Sequence, residues 1–321
     1  MNPYRTYFFL GLCLATLLAI GLFSGPFILY IAMRVMILAI FALGYNLLLG
    51  RTGLLSFGHA AFYAAGGYGL ALSMIHIYPH PLLGIVVGIA AATVLALFIG
   101  FFSVRHTEIY FAMLTLAFGM MVFSLMWNWR SVTGGDDGLY GITRSSISLG
   151  LFSFSIKTQF QYYFVVLFFF LLSVFLIYRI YRSPFGLVLA GIRENHIRTE
   201  FAGLAVKGYR LGAFVVSGAF AGLAGALAVL LESNITPFAA HWGRSAEPVL
   251  VSLIGGLHTF SGPLVGSIVF VVLREVVERF THNWMFWFGI ILLAIIMGFR
   301  GGIVGSTAEF LKRYSRISQL R

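Results

Sequence analysis

The sequence predicts an all-α polytopic membrane protein with about ten transmembrane helices, some short or broken. Three observations carry that prediction. Of 321 residues, 60% are hydrophobic and 10% charged, against about 25% charged in soluble domains. Apolar runs long enough to cross roughly 30 Å of hydrocarbon recur from end to end. The basic residues behind the net charge of +11 sit mainly between those runs. That placement fits the positive-inside bias, with anionic lipid as the acidic neighbour and no nucleic-acid partner.

The runs lie near residues 7–23, 27–49, 54–75, 82–102, 108–129, 160–181, 209–231, 247–258, 263–281 and 284–299. The first follows a single arginine, Arg5, and lacks a small-residue cleavage pattern, so it is expected to stay as a span. Leu12 before Cys13 argues against a lipoprotein-type signal, and a lone cysteine excludes an internal disulfide. The eighth run is short and is expected to be a half-helix or a tilted piece packed inside protein.

Ten crossings put Arg5, Arg51, Arg105, the cluster from Arg179 to Arg210 and the tail from Arg300 on one side. Only Arg130, Arg144, Lys157 and Arg244 fall opposite. The skew predicts that both termini are cytoplasmic. Residues 1–321 then form one transmembrane domain with an external loop at 129–158, a cytoplasmic segment at 182–210 and a basic cytoplasmic tail at 301–321.

The segment 182–210, "RSPFGLVLAGIRENHIRTEFAGLAVKGYR", is hydrophilic enough to face water. Ser183-Pro184 is a good helix start, Asn195 is suited to open a second short helix, and Gly203 is a natural stop. Ile197, Phe201 and Leu204 recur at helical spacing along one edge. An apolar edge on a water-facing helix predicts a docking partner, against the plainer reading of a solvated loop that only fixes topology.

"GYNLLLGRTGLLSFGHAAFYAAGGYG", residues 44–69, places Gly58, Ala61, Ala65 and Gly69 at helical spacing, with Gly66 and Gly67 beside them. Such a surface lets helix backbones approach closely in lipid. Asn46, Ser56, Gly58 and His59 are therefore read first as packing residues, with a polar translocation path as the alternative. The external "TGGDDGLYGI" lacks the alternating ligand spacing of a calcium loop and reads as a turn. Arg34, Glu247, Arg274, Glu275, Glu278 and Arg279 are ionisable residues within apolar runs and so are functional suspects. Arg34 is expected to snorkel or meet a lipid headgroup, and the charges at 274–279 to pair at i, i+4. None forms the Asp/Glu/His relay of a proton-driven pump.

The chain lacks a G-x-x-x-x-G-K-[ST] phosphate loop, H-E-x-x-H, paired CxxC and G-x-S-x-G. It is accordingly expected to be no enzyme, with no catalytic or metal-binding residues and no cofactor of its own.

Four stretches in order, "GYNLLLGRTGLLSFGHAAF", "TGGDDGLYGI", "SPFGLVLAGIRENHIRTEFAGL" and "AFVVSGAFAGLAGAL", resemble permease subunits of bacterial branched-chain amino acid ABC importers. "VSLIGGLHTFSGPLVGSIV" and "GFRGGIVG" continue the match, which covers roughly residues 40–305. The resemblance implies an inner-membrane complex with a second homologous permease, two cytoplasmic ATPases that use ATP and Mg, and an extracytoplasmic substrate-binding protein. It also implies that the water-facing segment is the coupling helix, touching the ATPase through Arg193, Glu194, Asn195, Glu200 and Gly203, with Ile197 and Phe201 as apolar anchors. Where family members often carry an acidic and then small residues, this chain has His196, Arg198 and Thr199, which leaves the cognate ATPase open. The solute also stays open between branched-chain amino acids, other amino acids, urea and short amides. A stand-alone ion-coupled carrier is the rival class.

Overall fold

Every predicted apolar run becomes a helix in the computed structural model, which describes residues 3–307 except 107, 146, 150, 151, 155 and 300. Of the predicted basic tail at 301–321, residues 302–307 are helical and 308–321 lie outside the described residues. In chain order the helices begin with α1 (Pro3–Phe23), α2 (Pro26–Thr52), α3 (His59–Leu72), α4 (Pro81–Ser103) and α5 (Glu108–Asn128). A short α6 (Arg130–Thr133) leads through the predicted external loop to α7 (Gln159–Arg182). The hydrophilic segment forms α8 (Pro184–Glu194) and α9 (His196–Phe201). The chain then returns through α10 (Val206–Glu232), α11 (Trp242–Gly255), α12 (Gly262–Phe280) and α13 (Trp284–Gly298).

Among the described residues, seven helices are long and apolar enough to cross a membrane. They are α2, α3 with the π-helical turn Ser73–Ile77 that prolongs it, α4, α5, α7, α10 and the helix beginning at Trp284. The 19 residues of α12 include Arg274, Glu275, Glu278 and Arg279, so composition alone does not mark it. With 14 residues, α11 spans only about 21 Å at 1.5 Å per residue, short of the roughly 30 Å a full crossing needs.

The third run differs from expectation at its start. It becomes helical only at His59, because α2 stops on Gly53, whose φ of +77° suits a residue without Cβ and whose N–H caps the Leu49 carbonyl. Residues 53–58 then run as largely buried non-helical chain. Backbone of this kind survives in a membrane protein only where its polar groups find partners inside the protein. The Tyr45 hydroxyl donates to the Ser56 carbonyl at 2.9 Å and accepts from the Ser56 N–H at 3.1 Å, while Thr115 Oγ1 accepts from the Phe57 N–H at 3.3 Å. Gly53 and Gly58 bracket the break, but Leu54 to Phe57 contain no helix breaker, so composition did not mark its length.

The core gathers α2, α3, α4 and α10 around the predicted small-residue surface. A Cβ on Gly66 would collide with the backbone of Gly222, and one on Gly88 would meet the carbonyl of Gly66. A side chain at Gly225 would strike the Tyr63 carbonyl. Backbones at this separation maximise the dispersion contacts that hold helices together when lipid removes the hydrophobic drive. Exposed apolar residues such as Val86, Val94, Phe98 and Ile109 cover the outer surface of α4 and α5, as lipid-facing positions require.

At the end opposite α8 and α9, two antiparallel strand pairs close the 129–158 connection: β1 (Leu139–Tyr140) with β4 (Asn234–Ile235), and β2 (Ile147–Leu149) with β3 (Phe152–Phe154). Arg144 fastens this loop to α10 by donating to the carbonyls of Leu230 and Leu231 at 2.6 and 2.8 Å. The glycines of "TGGDDG" at 134, 135 and 138 all take positive φ. Asp136 pairs there with Arg130 at 3.4 Å.

Candidate functional site

The hydrophilic insert is built by local rules that its sequence states openly. Ser183 Oγ accepts from the Gly186 N–H at 3.3 Å, with Pro184 at the first helical position of α8. Asn195 Oδ1 accepts from the Arg198 N–H at 2.9 Å and opens α9. Gly203, at φ +83°, reverses the chain towards α10.

Two faces result. Leu189 and Ile192 of α8 are buried against the bundle. Leu187, Ile197 and Phe201 point outward, with Phe201 88% exposed and Ile197 55% exposed. A shallow groove between α8 and α9 runs past Gly191, Asn195, Arg198 and Leu204. Glu194, Asn195 and Glu200 are exposed on the same insert. Full burial of one phenylalanine stabilises by about 1.5–3 kcal/mol, so these residues form a surface suited to a partner.

Arg193 points the other way. Its Nη1 donates to the Gly50 carbonyl, at 2.6 Å, and to His258 Nδ1, at 2.6 Å. Next to it, Asn46 Nδ2 donates to the Tyr181 hydroxyl at 3.0 Å and to the Thr259 carbonyl at 3.4 Å, and the Arg51 guanidinium lies 4.4 Å from the Tyr181 ring centre. The ends of α2, α7 and α8 and the loop 256–261 therefore share one polar knot. Hydrogen bonds thus join the insert to both α2 and the α11–α12 connection. Accepting at Nδ1 requires a neutral imidazole, and burial together with the Arg193 charge holds the His258 pKa below its usual 6.5.

The predicted residues divide between two places. Asn46 joins the knot. Ser56, Gly58 and His59 lie deeper, at the start of α3, where His59 Nδ1 is 2.8 Å from Ser56 Oγ and Nε2 is 2.8 Å from Ser217 Oγ. Tyr45, Phe62 and Phe214 surround the imidazole edge to face, at 4.8, 5.3 and 5.5 Å. Both ring nitrogens are satisfied and the ring is wholly buried. Gly58 abuts the Thr115 carbonyl of α5.

The ionisable suspects also find protein partners. Arg34 lies 4.0 Å from Glu275, and Glu275 meets Arg279 at 3.5 Å along α12. Arg274 turns away from Glu278 and approaches Glu247 of α11 at 3.8 Å instead.

The model of the family described as branched-chain amino acid transport system / permease component matches residues 27–299. The chain belongs to that family. It is 31% identical over 306 residues to the high-affinity branched-chain amino acid transport system permease protein LivM of Escherichia coli (strain K12), covering 88% of this chain and 71% of that protein. LivM of Salmonella typhimurium (strain LT2) is 32% identical over 307 residues, with the same two coverages of 88% and 71%. A probable branched-chain amino acid transport permease protein LivH of Methanocaldococcus jannaschii is 24% identical over 260 residues, covering 76% of this chain and 78% of that protein. No solved structure matches the chain.

Within this permease, reading the sequence missed Gly50, Tyr181, His258 and Thr259. Each is separated from Arg193 or Asn46 by a full helix or more, so no local spacing reveals the knot. The stretches "GLLSFGHAAF" and "GGLHTFSGPLVG" become non-helical connections leading into α3 and α12.

Proposed function

We propose that this chain is a transmembrane permease subunit of an ATP-driven ABC importer for branched-chain or related apolar amino acids. Separate ATPase subunits drive it through α8 and α9, which act as the coupling helix. The observation that carries this reading is the two-faced insert: Phe201 and Ile197 exposed on one side, Arg193 tied into α2 and the 256–261 loop on the other.

In this mechanism ATP closes the two ATPase subunits and each coupling helix follows its groove. Phe201 and Ile197 seat in the groove as apolar anchors. Glu194, Asn195, Glu200 and Gly203 ring them with polar contacts that fix register, whereas Arg193, expected from the sequence to join them, faces the bundle instead. Motion passes through the Arg193 knot to α2 and to the connection ahead of α12, so the spans tilt between two arrangements. A coupling of this kind is physical when one two-state element is biased from both ends. The insert and both termini lie in the cytoplasm, a sidedness that the charge skew supports, with the permease in the inner membrane beside a second homologous permease. An extracytoplasmic binding protein delivers the solute to the face carrying the β-strand pairs, opposite the polar insert.

The test is reconstitution of the complete complex in proteoliposomes. Leucine uptake that requires ATP and persists without an ion gradient supports the reading. Uptake by this chain alone, driven by an ion gradient with no ATPase present, contradicts it.

A further inference from the structure

In the half of the bundle away from α8 and α9, five helices line a half-open cavity of about 150 Å³. Its position follows from the chain ends that border it. Glu232 is the last residue of α10, Arg34 lies in the third turn of α2, and Arg274 lies two turns from the end of α12. The Tyr30 hydroxyl, one turn before Arg34, donates to Glu232 at 2.8 Å, which joins α2 to α10 at the same level.

One wall is apolar, formed by Ile37, Phe41, Leu231 and Phe270, with Ala228 between them. The other carries both signs of charge. Arg244 is committed: it donates to Glu247 at 2.9 Å and to the Tyr63 hydroxyl at 2.8 Å. Arg274 and Arg34 are held more loosely. Arg274 stands 3.8 Å from Glu247 and 4.9 Å from the Trp284 ring centre, and its buried Nε has no hydrogen-bond partner among the described residues. Arg34 lies 5.7 Å from the Tyr30 ring centre and 4.0 Å from Glu275. Each guanidinium carries five donors in a fork that fits a carboxylate. Glu232 has accepting capacity left beyond Tyr30.

Arg34, Arg274 and Glu247 are partly buried, where charges are costly and packing alone favours apolar replacements, while Glu232 stands exposed at the mouth. An inorganic anion would call for the arginines without Glu232, and a simple cation for the reverse. A carboxylate and an ammonium on one carbon, with a short apolar side chain, use every wall.

We propose that this cavity is a transit site for an apolar α-amino acid in its zwitterionic form. Arg274 and Arg34 take the carboxylate, Glu232 takes the ammonium, and the side chain lies against Ile37, Phe41 and Phe270. The inference deepens the amino-acid permease reading and rests on it for the solute class, but it assigns the site to this chain itself.

The test labels the cavity directly. Ala228→Cys, in a Cys13→Ser background, is assembled into the complete complex without the binding protein and treated with a small thiol reagent. Saturating leucine is expected to slow labelling about tenfold, whereas isovalerate, lacking the ammonium, and leucinol, lacking the carboxylate, leave it fast. Adding Arg274→Gln is expected to remove at least about tenfold of leucine's apparent affinity, the scale of a lost charge-assisted bond. Labelling that proceeds at the unprotected rate shows that the double variant keeps its cavity. Should that variant fail to assemble, Arg34→Gln and Glu232→Gln carry the same expectation.

A complex that takes up leucine with ATP yet shows no protection of the thiol introduced at position 228 overturns the site and leaves the transport reading standing. Equal protection by isovalerate overturns the zwitterion assignment. Protection by leucine in a complex that transports no amino acid supports the site and sinks the transport reading instead.

Discussion

Arg193 of α8 donates to the backbone carbonyl of Gly50, in the last turn of α2, at 2.6 Å. The contact joins the exposed insert to a helix buried along most of its length. Because the acceptor is backbone, no side-chain change on α2 replaces it.

Arg193→Ala is expected to lower ATP-driven uptake about tenfold while the complex still assembles. A hydrogen bond involving a charged group is worth about 1.5–3 kcal/mol, and about 1.4 kcal/mol of lost bias already gives that factor. Uptake per ATP hydrolysed, measured in proteoliposomes, checks it: the ratio falls because hydrolysis continues without transport.

The same knot should respond to pH. His258 accepts from Arg193 only while neutral, and burial and Arg193 hold its pKa below 6.5. Between that lowered value and about 6.5 the separated histidine binds a proton more readily than the docked one. The contact is therefore complete above this window and weakens as pH falls through it. The other ionisable groups around it are Arg51 of α2, Tyr181 of α7 and Glu194 of α8. Coupling ratio measured from pH ~7.5 down to ~5.5 should drop for the native permease and stay flatter for His258→Gln.

His59→Phe is expected to destabilise the permease by about 1–3 kcal/mol, the cost of leaving the buried Ser217 hydroxyl without its partner and Ser56 Oγ with only the Gly58 N–H. The check is a thermal melt in detergent alongside uptake normalised to folded protein. A lower Tm with normal specific uptake assigns the residue to packing. A normal Tm with lost uptake assigns it to the path.

Gly66→Leu should fail to assemble or lose well over about 2 kcal/mol, since its Cβ would enter the Gly222 backbone, which has no rotamer to yield. Gly208→Ala, where a Cβ meets nothing, serves as the control. Detergent-extracted, monodisperse yield measures both.

Much of this was legible in the chain. Each apolar run became a helix because lipid forces backbone groups to pair within a segment, and the caps at Ser183, Asn195 and Gly203 formed as short-range chemistry dictates. What stayed hidden was long-range. The non-helical stretch 53–58 is flanked by Gly53 and Gly58, but its partners are Tyr45 of α2 and Thr115 of α5, which spacing does not announce. Arg274 pairs with Glu247 across helices when sequence spacing offers Glu278. Arg34 likewise approaches Glu275 of α12, a neighbour that its own helix does not announce. Side chains within one helix announce their neighbours at i+3 and i+4, whereas partners on other helices are set by packing that spacing does not encode.

The central claim is that ATP energy enters the permease through the exposed edge of α9, and Phe201→Asp tests it most directly. A charge at that position makes burial in an apolar groove costly and leaves the intramembrane core untouched, Phe201 being 88% exposed. In the complete complex, with membrane insertion confirmed, the measurement is the initial rate of ATP-driven leucine uptake into proteoliposomes. The account predicts a rate near background. Uptake by this variant at the native rate, with the ATPases bound, would contradict it.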